Sequence, residues 1–176
     1  MLELAKQLAL FDQKYFSGWI IAGLDVHVHG KCKRFEMERL SEKVRSCVLE
    51  VRGYSDVQQY KSLRVTLVLP KGGAHAAARA EAPEGSPLTG HVFTQQDIAD
   101  YVAYVGDENV IHKGEHAIVP GLCLLAWLQQ DLMLSSLDWQ VRFLAPVYAG
   151  DRVDFYLAPK LCRAFAGSQP VFEIKM

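Results

Sequence analysis

Pro120-Gly-Leu-Cys-Leu-Leu-Ala-Trp-Leu128 has no polar side once it is wound into a helix. A helix at a protein surface shows one apolar stripe, so a segment that is apolar all round belongs inside. Pro120 and Gly121 open it, with proline at a first-turn position where its missing N–H costs nothing. The pattern predicts a helix from Leu122 to about Ser135. Strand signals follow at Trp139–Leu144, Arg152–Leu157 and Val171–Lys175. A buried helix followed by a strand meander predicts an α+β fold in which an antiparallel sheet wraps around that helix.

Upstream of this helix, Thr94 is suited to N-capping, and Asp97 in the first turn suits the helix dipole. Ile98, Tyr101, Val102 and Val105 follow at helical spacing, and Gly106 ends the helix. A polar loop, Asp107–Ala117, separates the two helices. Further upstream, Pro70–Gly90 is dominated by Gly, Pro and Ala and has no large apolar residue before Leu88. It reads as a linker or long surface loop. The chain then divides into residues 1–90, an N-terminal helix and strands plus this linker, and residues 91–176, the core described above. No internal repeat is evident.

In the N-terminal part, Leu2–Phe16 has helical apolar spacing, while Cys47–Arg52 and Leu63–Leu69 read as strands with a turn at Gly53-Tyr-Ser-Asp. Leu63–Leu69, with or without Cys47–Arg52, is expected to join the sheet of the C-terminal part or to cover its edge. His27 and His29 alternate, which places both imidazoles on one face of a strand. Two histidines at that spacing suit a metal, but no nearby cysteine or acidic pair completes a set, so no metal site is expected.

The chain has 176 residues, of which half are apolar and 22% charged, enough for one core with an appendage. A formal charge of −1 offers no bulk attraction to nucleic acid or anionic lipid. The longest apolar stretches, within Val119–Leu128 and Gly18–Leu24, are far short of a membrane span. The N-terminus lacks the pattern of a signal peptide. Cys32, Cys47, Cys123 and Cys162 form no CxxC pair and read as reduced, mostly buried thiols of a cytoplasmic protein.

The stretch that looks chemical is Gly106-Asp-Glu-Asn-Val-Ile-His112. An Asp and a His five residues apart in an irregular loop can converge on one water and move its protons. The helix start at Pro120-Gly121-Leu122 offers free N–H groups and a positive dipole end to a developing oxyanion. Gly121, lacking a side chain, lets a substrate carbonyl approach the backbone. The same residues also admit a plainer reading, an Asp that caps the next turn and a hydrogen-bonded loop histidine.

Phe93-Thr-Gln-Gln-Asp at the start of the first helix, then Gly106-Asp-Glu-Asn-Val-Ile-His112, resembles the hydratase motif of MaoC-like dehydratases, the (R)-specific enoyl-CoA hydratase group. Val141-Arg-Phe-Leu-Ala-Pro-Val, followed by Gly150-Asp, resembles that family's second signature. The resemblance covers about 92–157. It implies a hot-dog fold, usually paired as a homodimer or higher homo-oligomer, and a hydro-lyase of fatty acid metabolism. The reaction implied is reversible hydration of a trans-2-enoyl thioester to an (R)-3-hydroxyacyl thioester. Asp107 and His112 match the catalytic pair, Asn109 the polar residue between them, and Gly121 the glycine that receives the thioester carbonyl. No metal or redox cofactor is implied, since CoA or acyl carrier protein carries the substrate. Several positions depart from the pattern: Val110 stands where proline is usual, and Lys113-Gly114 follows His112 without the common acidic residue. Val119-Pro-Gly-Leu resembles instead the helix start of FabZ-type acyl-carrier-protein dehydratases, although Ala126 stands where those enzymes carry an acid.

The remaining candidates have plainer expectations. His116 reads as a hydrogen-bonded loop histidine, Cys123 as core, His91 as surface, and Trp127 and Leu128 as core or acyl-tunnel wall. Arg142 points outward or meets a carrier phosphate. A hot-dog thioesterase and a non-catalytic acyl-binding or assembly protein are the alternatives to a hydratase.

Overall fold

The apolar run beginning at Gly121 forms helix α3 (Gly121–Asp131), and Leu124, Leu125 and Leu128 on it are fully buried. This computed structural model describes residues 1–11, 15–70 and 83–176. Two further helices are α1 (Leu2–Leu8) and α2 (Gln95–Val105). The strands are β1 (Ile20–Val28), β2 (Arg34–Lys43), β3 (Ser46–Ser55), β4 (Gln58–Val68) and β5 (Ser86–Val92), then β6 (Leu137–Phe143), β7 (Arg152–Ala158), β8 (Leu161–Ala166) and β9 (Gln169–Lys175). All nine lie in one antiparallel sheet, in the order β2-β3-β4-β1-β6-β9-β8-β7-β5.

That order contains a repeat invisible in the sequence. α1 is followed by four strands ordered β2-β3-β4-β1, and α3 by four strands ordered β7-β8-β9-β6. The first strand after each helix meets its counterpart at a central seam, where β1 pairs with β6 from Gly23↔Arg142 to Val28↔Leu137. Along β1, Leu24, Val26 and Val28 are buried; along β6, Leu137, Trp139 and Val141 are buried. The alternate side chains, including His27, Asp138, Gln140 and Arg142, point to the outer face. α1 packs on β2, β3 and β4 and touches α2 and α3, so one core serves both halves.

Several sequence expectations are corrected. α1 stops at Leu8 rather than reaching Phe16. The expected linker does not extend to Gly90, because Ser86–Val92 is an edge strand; its residues 71–82 lie outside the described residues. A further strand, β8, lies between the two strand signals read toward the C-terminus and pairs with both. β3 runs through Gly53 to Ser55, and the turn falls at Asp56-Val57, with Asp56 left-handed (φ 56°). β2, charged and exposed along most of its length, was not anticipated; it forms the opposite sheet edge, where such residues discourage pairing with another chain.

Candidate active site

α2 delivers the polar loop to one place. Its N-terminus carries a capping box between Thr94 and Asp97, and its C-terminus closes on Gly106 in the left-handed region (φ 80°). The chain then turns sharply, with Asp107 N–H donating to Val102 O (3.1 Å). Asp107 Oδ1 accepts the N–H of Asn109 (2.9 Å), which leaves Oδ2 as the less engaged oxygen. A single 3₁₀ turn, Val110–His112, brings His112 back so that its Nε2 lies 3.6 Å from Asp107 Oδ2. That separation is too long for a direct hydrogen bond and short enough for both atoms to hold one water.

His112 is oriented from its other nitrogen. Nδ1 lies 2.7 Å from the carbonyl of Ile118, so Nδ1–H donates there and Nε2 carries the lone pair facing Asp107. Burial pushes the imidazole below its usual pKa of 6.5, against a smaller raising effect of the Asp107 charge and the Ile118 hydrogen bond. The neutral base is therefore the favoured form near neutral pH.

Asn109 has a different job from its neighbours. Its Oδ1 accepts the N–H of Gly18 (2.9 Å), and its Nδ2 donates to the carbonyl of Trp19 (2.8 Å). The amide is thus committed to backbone of the N-terminal half, and Asn109 holds the loop against that half. Asn109→Ala strands the Gly18 N–H and the Trp19 carbonyl at a part-buried site. It is expected to destabilise the fold by about 1–3 kcal/mol, read as a lower midpoint in denaturant unfolding at unchanged slope.

Asp107, Asn109, His112, Pro120, Gly121 and Leu122 all line one cavity of about 330 Å³. Pro120 is the N-cap of α3 and has no side-chain cap. The first bonds into the helix are Cys123 N–H and Leu124 N–H to Pro120 O (2.9 and 3.2 Å), so Gly121 and Leu122 N–H precede the ladder. The need for glycine at 121 differs from the sequence-based reason. A Cβ there would meet the Phe143 ring at 2.7 Å, so the missing side chain makes room for that phenyl group. The rest of the cavity is largely apolar, and much of it comes from the first half: Leu8, Phe11, Phe16, Trp19, Ile20 and Ile21. These walls are not legible in the sequence because they lie some ninety residues from the loop they face. Tyr101 also lines the cavity, and burial holds its phenol well above its usual pKa.

The other candidates fall elsewhere. His116 is exposed, and Cys123 is a buried thiol pushed up to about 12 by desolvation. Trp127 stacks between His91 (4.7 Å) and Phe155 (5.6 Å), which makes His91 half-buried rather than a surface residue. Leu128 is core, and Arg142 points to the outer face opposite Glu173. The four cysteines are free. No helix among the described residues is long and apolar enough to cross a membrane.

No protein-family model matches the sequence, and no curated protein matches it. Solved structures do. HtdX from Mycobacterium tuberculosis is similar at TM-score 0.74 and 16% identity, covering 98% of this chain and 86% of that one. A MaoC-like dehydratase is similar at TM-score 0.70 and 13% identity, covering 99% and 81%. An acyl-CoA thioesterase II, TesB2 from Mycobacterium marinum, is similar at TM-score 0.52 and 14% identity, covering 98% and 85%. The chain therefore has the hot-dog fold. Its structural likeness extends to MaoC-like dehydratases and to acyl thioesterases alike.

Proposed function

We propose that this protein is a hydro-lyase that adds water reversibly across the double bond of a trans-2-enoyl thioester. The observation that carries the reading is the Asp107–His112 pair, 3.6 Å apart at a cavity whose remaining wall is largely apolar. A water bridging Asp107 Oδ2 and His112 Nε2 points its oxygen lone pair into the cavity, toward C3 of an acyl chain lying there. As the C3–O bond forms, one water proton passes to the pair, and the pair returns a proton to C2 on the same face. The negative charge that gathers on the thioester oxygen meanwhile is met by the N–H groups at the start of α3. Water supplies both added groups, and the dehydration is the same path reversed. Coenzyme A or acyl carrier protein remains on the sulfur throughout.

A thioesterase is the second reading, favoured by the structural likeness to acyl thioesterases. In it the same water attacks the carbonyl carbon and releases a free thiol. The two are separated by incubating the protein with crotonyl-CoA and longer trans-2-enoyl-CoAs, following the conjugated absorbance and free thiol together. Loss of absorbance without thiol release is expected. Thiol release as the main product overturns the hydratase reading in favour of hydrolysis. No change with CoA or carrier-protein substrates of any length leaves acyl binding as the role.

The pH profile follows from the depressed His112. kcat/KM for hydration is expected to fall on the acid side with an apparent pKa below 6.5, because only neutral His112 accepts a proton. The same burial affects stability. The unfolded chain takes up the His112 proton first as pH drops through 6.5, so this contribution to stability is lost on acidification toward the lower folded pKa.

A further inference from the structure

The outer face of the central seam carries a cluster unconnected with the cavity. His27 of β1 stands directly opposite Asp138 of β6 in the strand register. His29 lies two residues further along the same face. His27 Nδ1 contacts the Asp138 carboxylate, and His29 Nε2 lies 3.2 Å from it. The three donor atoms all lie within 4.8 Å of one another. The sequence alone left the two histidines without an acid, and the register of a strand from the other half supplies it.

We propose that His27, His29 and Asp138 bind one divalent first-row transition-metal ion of the zinc class, which staples the two halves across the β1–β6 seam. Two imidazole nitrogens and one carboxylate oxygen form a donor set such ions favour over magnesium or calcium. Donors about 2.1 Å from one ion stand roughly 3.3–4.2 Å apart, so small side-chain rotations suffice to seat it. The three side chains are 51%, 50% and 60% exposed, which leaves the remaining coordination positions open to water. A backbone hydrogen bond also steadies the site: His29 N–H donates to Tyr60 O (2.9 Å). Because one ligand comes from β6 and two come from β1 or just beyond it, the ion resists separation of the halves.

The test uses the full chain stripped with chelator and titrated with zinc chloride by calorimetry, with thermal unfolding measured in parallel and magnesium chloride as control. One equivalent of zinc is expected to bind, raise Tm, and be weakened at least about tenfold by His29→Gln and by Asp138→Asn. Cobalt(II) replaces zinc as a spectroscopic probe, and its visible band is expected to disappear in both variants. Far-UV circular dichroism in chelator checks that the variants fold, which their exposed positions favour. Absence of saturable zinc binding overturns the proposal. So does zinc binding that persists with unchanged affinity in both variants, since other groups would then hold the ion.

Discussion

His112→Ala is expected to lower the turnover of trans-2-enoyl-CoA hydration by about 10²- to 10⁴-fold, the range lost with a positioned acid–base group. The change removes the Nε2 lone pair that faces Asp107 and frees the Ile118 carbonyl from its hydrogen bond. Asp107→Asn keeps the shape and still accepts the Asn109 N–H at its amide oxygen, but puts a neutral amide where the carboxylate faced His112. A fall of similar size is expected there. If the two groups act as one device on one water, the double variant is no slower than the worse single variant, because each loss already disables the pair. Full additivity of the two losses would mean that they serve separate steps. Turnover within threefold of wild type in both single variants would sink the proposed mechanism.

Phe172→Ala is expected to be the most destabilising of the changes considered, at about 3–5 kcal/mol for a fully buried phenyl group. Phe172 of β9 is wholly buried, and its ring centroid lies 5.7 Å from that of Phe143 and 5.8 Å from that of Phe155. At roughly 2–4 °C per kcal/mol for a chain of this size, Tm is expected to fall by about 6–20 °C. Phe143 in turn fills the space beside Gly121. Removing Phe172 therefore loosens the wall behind the start of α3, and KM for the thioester is expected to rise in protein that remains folded. An unaltered Tm would show that the β9 aromatic is not a keystone of this core.

What could be read from sequence was what short-range chemistry writes down. α2 is framed by Thr94, Asp97 and Gly106 within a dozen residues, and α3 shows itself by having no polar side. Asp107 and His112 are five residues apart, so their meeting in one loop needed no knowledge of tertiary structure. The strands that escaped notice are weak by propensity. β8, Leu161–Ala166, contains two alanines and a cysteine and no β-branched residue. β5 contains Pro87 and Gly90, tolerable because it is an edge strand that need not donate along both sides. β2 is charged for the same positional reason. The pairings that matter most for function cross between the halves: Asn109 with Gly18 and Trp19, the apolar cavity wall, and Asp138 with His27. Nothing local encodes such contacts; they follow only once the sheet register exists.

The seam between β1 and β6 has a consequence for how the molecule comes into being. It is the pairing that closes the longest stretch of chain in the sheet; the β5–β7 ladder comes next, and the remaining ladders join strands nearer in sequence. Closing a long loop costs more chain entropy than closing a short one, and non-local pairing slows folding. Each helix-and-four-strand set is thus able to gather locally before the two find each other. The cavity has walls from both sets, so a chain with most of its hairpins formed still has no pocket. The cavity therefore exists only where the two sets have come together, and no hairpin on its own contains it.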